Sequence, residues 1–413
     1  MSKSAAENGG NRVNGRLPAG LKPAVARVLE RALEEREISA DEAVRLFSAS
    51  GRELQALLRV ADELRRRAVG DVVTYVSVRN INFTNICYTG CRFCAFGRRL
   101  DDPDAQWLSL AEVADRAEQA WQAGATEVCM QGGLHPRMAG SHYRDLILAV
   151  KERVPQIHVH AFSPFEIWYG ARRSGVSYAD FLTALKEAGL GSLPGTAAEI
   201  LDTEIRQQLT RSKLSAEQWV EIITTAHRMG IRTTATIMYG HVDGPRHWAE
   251  HIALLRDIQR DTGGFTEFVP LGFVHYNAPI FLDGLARPGP SVGENLRMHA
   301  VARLMLHGFI PNIQVSWVKL GPQLAQRCLQ AGANDFGGTL MEETISLSAG
   351  ADYGQHMRPR EFRCLIRDIG RVPAQRNTLY ELLRVYETRP APAQPDAKPG
   401  AFESAFSRVR LRA

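Results

Sequence analysis

From residue 22 to residue 68 the apolar positions recur every three or four residues. Leu29 and Leu33 are followed by Ala43, Leu46 and Phe47, then by Leu54, Leu57, Leu58, Val60, Ala61 and Leu64, set among Arg and Glu. Such spacing gathers one apolar stripe per helix and predicts a helical N-terminal layer over residues 21–70, with no obvious chemistry of its own. Ser39, with Asp41 and Glu42 behind it, marks a capped helix start. From residue 72 the pattern changes to short runs rich in β-branched and aromatic residues. They predict strands at 72–83, 127–132, 157–162, 190–195, 232–240, 265–271, 312–317 and 334–338. Amphipathic stretches such as SLAEVADRAEQAWQAG and SAEQWVEIITTAHRMG fall between them, and several end in the glycine that a helix C-terminus favours. Eight strands alternating with helices over about 270 residues predict an α/β fold, a TIM-type (β/α)8 barrel within residues 71–385, with a C-terminal extension. A doubly wound sheet shows the same alternation. Residues 1–20 and 386–413, rich in Gly, Asn and Ser or in Pro and Ala and without periodicity, read as loose tails.

Composition narrows the class. A chain of 413 residues, 45% hydrophobic and 23% charged, is long enough for a large buried core. The net charge of +5 is scattered, with no basic block to suggest nucleic acid. No apolar run approaches the roughly 20 residues that span a bilayer, and no secretory leader stands at the start. The expectation is a cytoplasmic protein with neither a membrane nor a nucleic-acid partner.

Six cysteines are few for this length and are unevenly placed. Cys129, Cys328 and Cys364 are dispersed and read as small buried hydrophobes. Cys87, Cys91 and Cys94 stand together as C-x3-C-x2-C just beyond the first strand, where a barrel carries its chemistry. Three thiolates on so short a loop can converge on a metal. Structural zinc needs a fourth protein ligand, and no second Cys or His pair stands at a finger-like spacing, although His135, His160 or His241 could supply one from another strand end. A 4Fe-4S cluster on three cysteines leaves one iron open to a small molecule, which is a catalytic arrangement.

With Phe93 just before its third cysteine, this loop resembles that of the radical S-adenosylmethionine superfamily. The resemblance implies a 4Fe-4S cluster held by Cys87, Cys91 and Cys94, with S-adenosyl-L-methionine chelating the fourth iron and cleaved to a 5′-deoxyadenosyl radical. The stretches NFTNICYTGCRFCAFGRR, QGGLHP, HAFSPFEI, SLPGTAAEIL, TIMYGHVDG, FVPLGFVHYNAPI and NDFGGTLMEETI follow in the order seen in deazaflavin (FO) synthase subunits that join tyrosine to a ribityl-uracil. That closer resemblance covers about residues 40–385 and implies a transferase of coenzyme F-420 biosynthesis. Its substrates would be L-tyrosine and 5-amino-6-(D-ribitylamino)uracil. Its partners would be a separate CofG-type FO synthase subunit (7,8-didemethyl-8-hydroxy-5-deazariboflavin synthase) and an electron donor. Relatives in futalosine-dependent menaquinone synthesis share part of the pattern and stand as an alternative, as does a zinc-stabilised binding protein without turnover.

Within the resemblance, Gln131, Gly132 and Gly133 match the turn whose backbone approaches the cosubstrate, against the alternative of a plain tight turn. Glu199 stands where a cosubstrate-binding acid is expected, or else in the first turn of a helix. Arg98 and Arg99 could neutralise an anionic cluster, His135, His160, His241 and His275 could reach substrate, and Asn277 and Glu342 suit a polyol and a diaminopyrimidine. The N-terminal helices are expected to close the barrel mouth against water.

Overall fold

The computed structural model describes residues 17–386. The tails expected at 1–20 and 386–413 lie outside the described residues, apart from 17–20 and Tyr386. Three helices lead the chain: α1 (Pro23–Leu33), α2 (Ala40–Phe47) and α3 (Gly51–Val69). Helix α2 starts in a reciprocal cap, Glu42 N donating to Ser39 Oγ at 3.2 Å and Ser39 N to Glu42 Oε2 at 2.8 Å. The apolar stripes of α2 and α3 pack on the outer helices Pro245–Thr262 and Val292–Leu306. None of their residues lines the central cavity, so the expectation that they close the mouth is corrected. Their stripes find matching apolar faces on the outside of the barrel, where Leu57, Val60, Ala61 and Leu64 become fully buried.

The strands are β1 (Val72–Val76), β2 (Val78–Ile81), β3 (Glu127–Met130), β4 (His158–Ala161), β5 (Ser192–Leu193), β6 (Arg232–Tyr239), β7 (Phe265–Gly272), β8 (Asp335–Gly338), β9 (Val372–Arg376) and β10 (Leu382–Val385). β2 to β7 form one parallel sheet in chain order, and a second sheet runs β10-β9-β1-β8. The two make one ring. Phe268 in β7 bridges Ile313, Gln314 bridges Asp335 in β8, and β8 pairs parallel with β1, which continues into β2. The expected TIM-type barrel is therefore present, with its strand C-termini at one mouth.

Two strand expectations change. The run 72–83 is broken at Ser77, because β9 occupies the edge of β1 that would otherwise meet β3; pairing with β3 begins only at Val78, opposite Glu127. The run 312–317 reduces to bridges at Ile313 and Gln314 before a short helix, Trp317–Leu320. There side-chain amides add to the backbone bonds: Asn334 Oδ1 accepts from Ile313 N at 2.9 Å, and Asn312 Nδ2 donates to Thr266 O at 3.0 Å.

Strand β9, unforeseen from the pattern, carries Arg376 into the bottom of the barrel. Arg376 Nε donates to Asp335 Oδ2 at 2.6 Å and Nη2 to Asp335 Oδ1 at 3.1 Å, with Glu267 Oε2 at 3.5 Å. Tyr380 Oη donates to Glu267 Oε2 at 2.5 Å, and the Thr378 hydroxyl donates to Glu127. Burial pushes the Glu127 carboxyl up to about 7, reinforced by Glu267 and Asp335 and opposed by Thr378 and Arg376. A folded state that keeps a proton the unfolded chain has lost is destabilised as pH rises from about 4.5 to about 7. Glu127→Gln keeps an acceptor for Thr378 and is expected to flatten that fall. Denaturant midpoints at about pH 5 and about pH 8 check it; an unchanged difference between the two would refute the assignment.

Candidate active site

The loop that follows β2 is stitched to itself before it reaches the cavity. Thr84 bridges Trp107 and Ile86 bridges Arg98, while Asn85 donates to Asp104 O and accepts from Gln106 N, both at 2.8 Å. Arg98 donates to Asp104 Oδ2 at 2.6 Å and to Ala95 O at 2.9 Å, so it ties the loop together. Arg99 is exposed, and neither arginine lines the cavity. Held this way, Cys87, Cys91 and Cys94 all border a cavity of about 440 Å³ at the strand C-termini. Thr89 Oγ1 stands 3.1 Å from Cys87 Sγ and 3.4 Å from Cys91 Sγ, and Thr210 Oγ1 lies 3.4 Å from Cys91 Sγ. Burial pushes the Cys94 thiol up, Cys91 and Cys87 add to this, and the N–H groups of Gly97 and Phe96 oppose it. All three thiols are free. Among the described residues, no three His, Cys, Asp or Glu side chains are gathered closely enough for a single metal ion. Three thiols bordering one open cavity, with hydroxyls and amides beside their sulfurs, fit the wider spacing of a polynuclear cluster better.

The QGG stretch after β3 packs under this loop. A Cβ on Gly132 would stand 2.6 Å from the Phe83 ring, and one on Gly133 only 2.4 Å from Ile86 O, so close approach requires both glycines. Their N–H groups are engaged within the protein, Gly132 N with Glu166 Oε1 at 2.9 Å and Gly133 N with Thr84 O at 2.8 Å. Gln131 accepts from Thr196 Oγ1 at 3.0 Å. Glu166, which the sequence reading passed over, also accepts from Ser163 N at 2.7 Å; the S-P-F-E spacing of a capping box was the available signal. Burial pushes its carboxyl up to about 7 against those hydrogen bonds.

Glu199 also borders the cavity, in a loop with left-handed backbone at Ala197 (φ +65°) and Glu199 (φ +41°). Arg206 holds this loop, donating to Ala198 O at 2.5 Å and Leu214 O at 2.7 Å. The next helix starts at Thr203 behind the cap Asp202, so Glu199 is not a first-turn residue. It accepts from Lys213 Nζ at 2.6 Å. Lys213 lies 5.1 Å from the Phe93 ring centroid, which places the pair beside the cysteine loop. Nothing local in the sequence marks Lys213.

Other expected contacts fall elsewhere. Of the four histidines only His160 borders the cavity, bonded through Nδ1 to Ser192 Oγ at 2.7 Å; burial lowers it to about 3, so it is neutral. His135 stacks on Trp107 and His275 on Tyr276, while His241 accepts from Val242 N at 2.8 Å. Asn277 donates to Ser348 O at 2.9 Å, and Glu342 pairs with Arg79 at 2.7 Å, outside the cavity. Its neighbour Glu343 borders the cavity instead. Of the dispersed cysteines Cys328 is buried as expected, but Cys364 is exposed and Cys129 borders the cavity, its thiol pushed up to about 12 by burial.

Comparison with known proteins agrees with this geometry. The radical SAM superfamily signature matches residues 81–255, and that of the CofH/MqnC C-terminal region matches residues 262–389. The chain is 59% identical over 339 residues to FO synthase of Streptomyces avermitilis, taking in 82% of this chain and 39% of that protein. It thus spans about 40% of the length of such FO synthases. It is 51% identical to the 5-amino-6-(D-ribitylamino)uracil--L-tyrosine 4-hydroxyphenyl transferase of Methanothermobacter thermautotrophicus, over 87% of this chain and 98% of that one. The crystal structure of methylornithine synthase superposes with a TM-score of 0.66 at 18% identity, covering 84% of this chain and 97% of that one, which speaks to the fold.

Proposed function

We propose a function from one premise: the chain belongs to the radical SAM superfamily and, within it, to the family of FO synthase and its tyrosine 4-hydroxyphenyl transferase relatives. The proposed reaction cleaves L-tyrosine between Cα and Cβ and joins the 4-hydroxybenzyl group to C5 of 5-amino-6-(D-ribitylamino)uracil. The observation that carries this reading is 51% identity across 98% of a transferase whose name states both substrates. The same identity favours it over a menaquinone-pathway role, which the CofH/MqnC match alone leaves open.

Superfamily membership implies a 4Fe-4S cluster and S-adenosyl-L-methionine, and the residues that would hold the cluster are Cys87, Cys91 and Cys94. Once bound, this pair supplies a 5′-deoxyadenosyl radical by one-electron cleavage of the sulfonium. The chain's own part is to bind, orient and exclude water. Lys213 and Glu199, paired beside Phe93, suit the charged ends of the amino-acid part of the cosubstrate. Gln131, Gly132 and Gly133 border the same cavity, and the two glycines let the turn pack directly against Phe83 and Ile86 under the cysteine loop, which sets the wall that this part would meet. Apolar walls such as Val78, Phe165, Leu271 and Trp317 keep reacting groups from bulk water. Closure of the deazaflavin ring is a step that the name of the matched transferase does not state, and we assign it to a CofG-type partner. An electron donor completes the system, in the cytoplasm; no described helix is long and apolar enough to cross a membrane.

Anaerobically purified protein, given dithionite, S-adenosylmethionine, tyrosine and the ribityl-uracil, should form 5′-deoxyadenosine and a hydroxybenzyl-uracil adduct detectable by mass spectrometry. 5′-Deoxyadenosine without the adduct would overturn the substrate assignment and keep the radical chemistry.

A further inference from the structure

Among the described residues three cations border the cavity, and they are not equivalent. Lys213 is engaged by Glu199 at 2.6 Å and Arg376 by Asp335 at 2.6 Å. Lys319, at the end of the short helix Trp317–Leu320, has no carboxylate within 4.0 Å among the described residues, and its hydrogen bond there goes to the Ser346 hydroxyl. An ammonium carries three donors, and the hydrogen bond to Ser346 uses one of them. The nearest candidate counter-ion, Glu343, points both oxygens at Ser346 N, at 3.1 and 2.9 Å. The other cavity carboxylates are engaged too: Glu127 by Thr378, Glu166 by Ser163 and Gly132, Glu267 by Gln314 and Tyr380. Burial lowers the Lys319 ammonium and Glu343 counters it, as expected of a cation awaiting a partner.

We propose that Lys319, steadied by Ser346, receives the carboxylate of the amino-acid substrate and so makes the site favour substrates that carry one. A half-buried cation with no carboxylate within 4.0 Å among the described residues is stabilised most by a ligand carboxylate that brings both charge and acceptors. The inference rests on the function proposed above, under which the amino acid is tyrosine. S-Adenosylmethionine carries a carboxylate as well, but Lys213 is the cation beside the cysteine loop, whereas the hydrogen bond of Lys319 goes to Ser346, outside that loop.

The test is binding by the full chain, loaded with cluster and S-adenosylmethionine, of tyrosine, of tyramine, which lacks the carboxylate, and of 3-(4-hydroxyphenyl)propionate, which keeps it. In Lys319→Met, tyrosine and the propionate should each bind at least about tenfold more weakly, with tyramine and S-adenosylmethionine unchanged. Lys319→Arg, which retains the charge, should preserve most of the preference for tyrosine over tyramine and guards against a loss that is only structural. Wild-type discrimination persisting in Lys319→Met overturns the proposal, as does a loss confined to S-adenosylmethionine. Wild-type protein that forms the adduct from tyrosine yet binds tyramine equally well overturns Lys319 alone. Wild-type protein that binds no tyrosine and forms no adduct overturns the function as well.

Discussion

Cys91→Ala, purified without oxygen, should contain background iron and form neither 5′-deoxyadenosine nor the hydroxybenzyl-uracil adduct. Cys91 is the middle one of the three cysteines proposed to hold the cluster, close to both Thr89 and Thr210, and removing its sulfur leaves two thiols on a loop that cannot supply a third. Cys129 is no substitute, because burial holds its thiol protonated at about 12. The fold itself should be untouched. The loop is secured by the Thr84–Trp107 and Ile86–Arg98 bridges and by Asn85, none of which involves the Cys91 side chain. Metal-free wild type and variant should therefore differ by less than about 1 kcal/mol in stability. Thr89→Val grades the effect: a hydroxyl beside two sulfurs orients ligands without binding metal, and its loss should weaken cluster retention by about 10- to 100-fold. Iron and absorption spectra, read beside denaturation curves, separate the two. Wild-type iron in Cys91→Ala would remove this residue from the site.

Arg376→Met should cost about 3–5 kcal/mol of stability, the largest effect expected away from the cysteines. Methionine fills much of the same volume, so the loss is electrostatic. Asp335 and Glu267, both buried, would lose the guanidinium that joins them, and Tyr380 would lose a cation 3.9 Å from its ring centroid. Because β9 occupies an edge of β1, loosening Arg376 should also free the C-terminal strands. Adding Asp335→Asn to Arg376→Met should recover part of the stability by removing one stranded charge. Denaturant midpoints of the three variants decide the matter. A single variant within about 1 kcal/mol of wild type would show that the barrel floor does not depend on this pair.

Much of the architecture was legible because it is local. An apolar stripe every three or four residues, a Ser three positions ahead of a Glu, or three cysteines within eight positions works through neighbours that the backbone brings together unaided. Hence the helices near 22–68, the cap at Ser39 and Glu42, and the cysteine loop beyond the first strand are where the pattern puts them. The capping-box spacing also marked Ser163 and Glu166, although nothing in it told that this carboxylate reaches back to Gly132 beside the cysteines.

Pairings across long separations were not legible. Thr74 meets Asp335 and Val72 meets Val372, contacts that depend on how the ring closes and on which strand takes which edge of β1. The same closure sorts residues of identical type. Glu342 and Glu343 are neighbours, yet a left-handed backbone at Glu342 (φ +71°) turns the first to Arg79, while the second borders the cavity. Lys213 and Lys319 look alike in the chain. One finds Glu199 and the other only a serine hydroxyl. The sequence by itself determined most of the helical and strand segments and the three-thiol loop, because these follow from period and spacing. Only the tertiary structure decided which buried charges are neutralised, because a charge's partner is set by distance in space and not by distance along the chain.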